Sequence, residues 1–189
     1  MLRFPEHHER RPRFKEHKAT QVACRFLEKM IGGADRIALM KLMYIVDREG
    51  LLRYGRPVTF DLLVSMEHGP VLIHTLNLVR NIETESDGYW AHHIGTADNQ
   101  IKLRSKPLDN DLSPVEIDLI EDTFRNYGHL DTFEIRDLTH AFPEWADPKG
   151  SSTPITYAQV LDGRFNGDEI EAILEDLAME AQVEELLSE

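Results

Sequence analysis

Ile37-Ala38-Leu39-Met40-Lys41-Leu42-Met43-Tyr44-Ile45-Val46 is the stretch that decides the fold. Its apolar residues fall at every angle around a helical wheel instead of along one stripe. A helix that is apolar all round belongs at the centre of a core. Asp35 stands where the N-cap of such a helix is needed, and Gly55 stands where it would end after Tyr54. Lys41 is the lone charge inside the run. It is expected to snorkel its ammonium to the surface, the sharper alternative being an ion pair with a buried acid.

Elements on both sides of this helix can be read outward from it. Upstream, Val22, Phe26, Leu27 and Met30 recur at helical spacing from Lys15 to Ile31, with Ala19, Ala23 and Cys24 beside them, until Gly32-Gly33 stops the helix. Cys24 reads as inert core. Downstream, Leu62 to Met66 reads as a short strand. Gly69-Pro70 is expected to open a helix with proline at its first position, burying Val71, Leu72, Leu76 and Val79. Residues 88–104 are expected to form a β-hairpin, running from Tyr89 to Ile94, turning through Gly95–Asn99 and returning through Ile101 and Leu103. His92 and His93 would then be neighbours on a strand, pointing to opposite faces.

The second half is marked by capping boxes, in which a small polar residue and an acid or amide three positions later satisfy each other's backbone N–H. Ser113 with Glu116, Asp131 with Glu134, Thr156 with Gln159 and Asp168 with Glu171 fit that pattern. The expected fold is therefore mainly α with a small β element (α+β), a single compact helical domain carrying a short strand and a β-hairpin. Its parts are a basic, flexible arm (1–14), a body (15–165) and an acidic C-terminal helix (166–189).

Composition narrows the function. The chain has 189 residues, 41% of them hydrophobic, and one cysteine. These figures exclude a wholly disordered chain and a disulfide framework, and a single cysteine fits a reducing compartment. No apolar run approaches the roughly 18 residues of a membrane span, so a soluble, cytoplasmic protein with no membrane partner is expected. Net charge is −13, and its distribution is uneven. Residues 1–18 hold six basic residues against three acids, whereas residues 162–189 hold ten acids against Arg164 alone. An acidic body repels phosphate backbones, which makes nucleic acid an unlikely partner and a basic protein surface a favoured one.

The sequence carries no catalytic or cofactor-binding motif. Phosphate-cradling loops, dinucleotide fingerprints and nucleophile elbows are all missing, and no histidine spacing matches a zinc site. No cofactor, metal or catalytic residue is expected. Asp47, Glu49 and Asp61 could form a carboxylate cluster. An enzyme would most plausibly be a metal-assisted hydrolase using Asp47, Glu67, His68 and His74. A DNA-binding regulator would use Arg10, Arg11 and Arg13. His7-His8 lie in the arm.

The last helix is unusual. Ile170, Ile173, Leu174, Leu177 and Ala181 form one apolar stripe, while Met179, Val183, Leu186 and Leu187 fall on the opposite side. A second apolar face implies a second surface to cover, either a partner or another copy of the chain; the alternative is fraying of the last turns. Candidate partner-contact residues are Met179, Val183, Leu186 and Leu187 with the acids Glu180, Glu184 and Glu185, and the aromatic Trp145.

Leu42–Arg48, Tyr54-Gly55-Arg56-Pro57-Val58-Thr59 and Met66-Glu67-His68-Gly69-Pro70-Val71, followed by Asp137–His140, Pro143-Glu144-Trp145 and Pro154-Ile155-Thr156-Tyr157 with Val160-Leu161, resemble the Panacea domain. This is the SocA-like antitoxin domain, met also as the phage-associated GepA. The resemblance runs from about Ala19 to Leu161. It implies a mainly helical antitoxin of a two-gene toxin–antitoxin system, often prophage-borne, that neutralises a cognate toxin by direct protein binding. It also implies diverse toxins, and in one namesake an adaptor delivering its toxin to a cytosolic protease. The family carries no catalytic set. Lys41, Tyr44, Asp47, Gly69, Pro70 and Trp145 are its matching motif positions here, expected to pack and pair internally.

Overall fold

In the computed structural model, which describes residues 10–83, 86–108 and 110–188, the apolar run forms the central helix. α1 (Glu16–Lys29) leads through a two-residue strand β1 (Ala34–Asp35) into α2 (Arg36–Tyr54). The Asp35 carboxylate accepts from the Ile37 and Ala38 amides, and Gly55 closes the helix in the left-handed conformation. Leu39, Leu42, Met43, Tyr44, Ile45 and Val46 are all buried. Side chains of that size each contribute about 1.5–3 kcal/mol on leaving water, which makes α2 the axis of the core. Gly50 lies where the returning chain passes closest: a Cβ there would sit 2.9 Å from the Arg56 carbonyl oxygen.

After α2 the chain forms β2 (Leu63–Met66), β3 (Gly69–Leu72), α3 (Ile73–Arg80), α4 (Tyr89–His93), β4 (Ile94–Ala97) and β5 (Gln100–Leu103). Then come α5 (Pro114–Tyr127), α6 (Thr132–His140), β6 (Thr153–Ile155), α7 (Tyr157–Leu161) and α8 (Gly167–Leu187). The strands make two antiparallel three-stranded sheets, ordered β1-β5-β4 and β3-β2-β6. Helices α1, α5, α6 and α7 and strand β3 pack around α2. The molecule is mainly α with a small β element, as its sequence implies. Among the described residues, no helix is long and apolar enough to cross a membrane.

Three local expectations are corrected. Gly69-Pro70 does not open a helix: it begins β3, with Pro70 opposite Ser65, and the helix starts at Ile73. Tyr89–His93 is a short helix, and the hairpin comprises only Ile94–Ala97 and Gln100–Leu103. His92 and His93 are therefore not strand neighbours, and their rings meet edge to face at 4.7 Å. The fourth capping box is Asn166 with Glu169, two residues before the expected pair, while the other three form as read.

Residues 1–9 of the expected flexible arm, with His7-His8, lie outside the described residues. Residues 10–14 run extended along the body. The Lys15 amide donates to the Thr59 carbonyl at 2.9 Å, the Arg11 guanidinium donates to the Asp61 carbonyl at 3.1 Å, and Phe14 stacks on His74.

Candidate functional site

Two regions gather the residues singled out by sequence. The first is a buried polar network along α2. Lys41, Tyr44 and Arg48 share one stripe at i, i+3, i+7 spacing. Lys41 neither snorkels nor forms an ion pair. It is 1% exposed, and its ammonium donates to the Pro70 carbonyl oxygen at 2.7 Å. Burial pushes its pKa down to about 7. The space around the ammonium depends on Gly69, which sits at φ +92° where a Cβ would meet Lys41 Nζ, Thr139 Oγ1 and His140 Cδ2 within 3.0 Å.

His140 stacks on Trp145 at 4.2 Å between ring centroids, and Trp145 Nε1 donates to the Met66 carbonyl oxygen at 3.1 Å. The His140 pKa is lowered by burial and by the nearby Lys41 and Arg136 charges. Trp145 is thus half-buried and tied to β2. One step along the stripe, the Tyr44 hydroxyl donates to Glu144 Oε1 at 2.9 Å and Arg48 Nε donates to the same oxygen at 2.7 Å. The Arg48 guanidinium also lies 4.2 Å from the centre of the Phe142 ring. The sequence shows Glu144 without announcing its partners. Its signal is an acid set between proline and tryptophan, a place where a charge needs a counterion.

Asp47 points away from this stripe. Its carboxyl accepts from the Val58 and Thr59 amides and, at 2.5 Å, from the Thr59 hydroxyl. Burial pushes its pKa up to about 7, against those hydrogen bonds, which favour the charged form. Asp61 is equally buried, and its carboxyl accepts from the Leu62, His74 and Thr75 amides and the Thr75 hydroxyl. These two carboxylates pin the 58–62 loop to α2 and α3. Glu49 instead pairs with Arg48 and Arg53.

The residues of the hydrolase alternative do not converge. His74 pairs with Glu83 at 3.0 Å, Asp47 is enclosed by the 58–59 backbone, and Glu67 and His68 are exposed on the β2–β3 turn. Among the described residues, no group of three or more His, Cys, Asp or Glu is placed to hold a metal ion. Cys24 is buried, and burial together with Glu28 raises its thiol to about 12.

The second region is α8. Its inner side buries Leu177 and Ala181, with Ile170, Ile173 and Leu174 packed on the core. Its outer side leaves Met179, Val183, Leu186 and Leu187 between 54% and 83% exposed. The three acids named with them are held by this chain's own cations. Glu180 pairs with Arg56 at 2.7 Å, and Glu185 pairs with Arg10 at 3.6 Å. Glu184 accepts from the Lys15 ammonium and, at 2.9 Å, from the Arg13 amide. Partial burial raises the Glu184 carboxyl, but those hydrogen bonds outweigh it and hold it below the usual glutamate range. Of the arginines in the DNA-binding alternative, Arg10 is therefore engaged with α8 through its side chain and Arg11 with the Asp61 carbonyl and the Tyr157 ring. Arg13 reaches Glu184 through its amide.

A family model described as antitoxin SocA-like, Panacea domain, matches residues 39–146. No curated protein and no solved structure matches the chain. The matched span holds all of the α2 network, from Lys41 to Trp145, and stops before α8.

Proposed function

Because the chain belongs to the Panacea family of SocA-like antitoxin domains, we propose that it is the antitoxin of a toxin–antitoxin pair, which neutralises its cognate toxin by binding it directly. The observation that carries this reading is the outer row of α8. Four large apolar side chains at helical spacing stand in solvent on a helix outside the family-matched span. Exposed apolar rows rimmed by charge are the composition of protein contact surfaces. Within the matched span, by contrast, the buried polar groups of the motif serve the fold. Lys41, Tyr44, Asp47 and Glu144 are buried and bonded to their own chain. A shared scaffold with a contact helix of its own suits a family whose toxins differ.

In this reading the protein makes and breaks no covalent bond. It covers the toxin's working surface, with Met179, Val183, Leu186 and Leu187 as apolar anchors. The net negative charge steers a cationic toxin cleft toward it and speeds encounter. The test is genetic and then physical. A reading frame beside this one should be lethal when expressed alone and tolerated together with this protein, and the two products should co-purify. A neighbour whose lethality is unaffected by co-expression overturns the assignment.

A further inference from the structure

The C-terminal end of α8 is held to the molecule almost entirely by charge. Beyond the buried Ala181, residues 182–188 are exposed except for Glu184, and Glu184 is the residue gripped by Lys15 and the Arg13 amide. The cations come from the extended segment before α1, which is itself anchored elsewhere: the Lys15 amide on Thr59, Arg11 on the Asp61 carbonyl, Phe14 on His74. The base of the segment is thus fixed, while the Lys15 and Arg10 side chains reach out to Glu184 and Glu185. Both pairs are partly exposed, a setting in which an ion pair is worth at most about a kcal/mol and is screened by salt.

We propose that the arm is an internal stand-in for the partner: Lys15 and Arg10 occupy the acidic flank of α8 in the free protein, and a cationic surface on the partner replaces them there. The inference rests on the antitoxin reading and adds the chemistry of the contact. Two acids that look spent in the free chain become available at the moment of binding. Only the two cationic side chains and the Glu184 carboxylate, which lets go of the Arg13 amide as it turns to the partner, need to move. The Lys15 amide, Arg11 and Phe14 anchors of the arm therefore stay where they are. The exchange trades one set of ion pairs for another, so it costs little. It favours partners with closely spaced cations over neutral ones, which must leave the arm in place.

Hexalysine serves as the probe for a cationic surface, with full-length protein at low ionic strength. Hydrogen exchange at the Arg13 amide reports whether Glu184 has let go of the arm. Saturating hexalysine should speed that exchange, and R10A/K15A should bind hexalysine about two- to fivefold more tightly than the wild type, the worth of partly exposed pairs. Both effects should vanish in E184Q/E185Q. Unchanged Arg13 exchange under saturating hexalysine, or equal affinity in R10A/K15A and wild type, overturns the proposal. If the hexalysine effects hold while the lethal neighbour's product fails to bind, the stand-in is supported and the antitoxin reading is what falls.

Discussion

A side chain added to Gly69 would begin 2.8 Å from the Lys41 ammonium. The neighbours that surround it are not free to retreat. Lys41 Nζ is bonded to the Pro70 carbonyl, Thr139 Oγ1 to the Arg136 carbonyl, and His140 is stacked on Trp145. The backbone is also in the left-handed region, at φ +92°. Gly69→Ala should therefore destabilise by about 2–4 kcal/mol, combining a strained φ with overpacking. Urea unfolding measures this, and a loss below 1 kcal/mol would show that Lys41 moves aside freely.

Lys41 should give stability a pH dependence of known sign. Its pKa is about 7 when folded and 10.5 when free. Between these values the unfolded chain binds the extra proton, so stability rises from pH 7 toward 10.5 and is lost as pH falls through 7, by at most about 1.4 kcal/mol per pH unit. Lys41→Met keeps the volume and removes the titration. The difference between wild type and Lys41→Met, followed by denaturant midpoints from pH 7 to 10, should grow in the wild type's favour as pH rises.

Asp47 should act with the opposite slope in a lower window. Its carboxyl titrates near 7 in the fold against 3.8 outside it. The folded chain holds the proton between those values, so this contribution is full below pH 3.8 and lost as pH rises to 7. Asp47→Asn can still accept from the Val58 and Thr59 amides and donate to the Thr59 hydroxyl, so it should fold and flatten that slope. Asp47→Ala orphans two buried amides and should cost about 2–4 kcal/mol. Equal pH profiles for wild type and Asp47→Asn would mean that the carboxyl is charged throughout.

How far the sequence reveals this network depends on the range of each interaction. The Asp35 cap and the boxes at Ser113, Asp131 and Thr156 act within three residues, so their spacing is visible. Asn166 and Asp168 both fit the box rule, and only the chain's path decides between them. Pro70 reads in the sequence as the first residue of a helix and not as a strand residue. It is tolerated because β3 is the edge of its sheet, where a missing N–H leaves no ladder bond unmade. Tyr89–His93 carries strand-forming residues, yet the Trp90 amide is drawn to Glu16, 74 residues away, and a helical turn results. Lys41 found a backbone carbonyl 29 residues on, an acceptor that no side-chain pattern announces. On α8 the apolar row is plain from spacing, but the pairing of its acids with Arg10, Lys15 and Arg56 is not, because it joins residues more than a hundred positions apart.

Glu144 is shared by Tyr44 and Arg48, and its side chain is fully buried. Removing Glu144 leaves the largely buried Arg48 with Glu49 alone and orphans the Tyr44 hydroxyl, so Glu144→Ala should cost about 2–4 kcal/mol. Tyr44→Phe loses one hydrogen bond and should cost about 1–3 kcal/mol. In a double-mutant cycle the two changes should be non-additive, since each removes the same contact. Additive losses would mean that Arg48 alone supports Glu144.

The outer row of α8 offers a test in which stability and binding separate. Val183, Leu186 and Leu187 touch solvent more than protein, at 54%, 72% and 83% exposure. Replacing all three by serine should change folding stability by no more than about 0.5 kcal/mol per site. Apolar anchors at the centre of an interface commonly each account for 1 kcal/mol or more of its affinity. The triple variant should therefore bind the toxin at least tenfold more weakly by titration calorimetry, while its melting curve overlays that of the wild type. Deleting residues 182–189 should weaken binding as much, with a stability loss limited to the Glu184 and Glu185 contacts, because Leu177 and Ala181, the buried side chains of α8, are retained. Undiminished toxin affinity in both variants would move the contact off this helix and onto the matched body, where the exposed aromatic Phe133 on α6 would be the next residue to change.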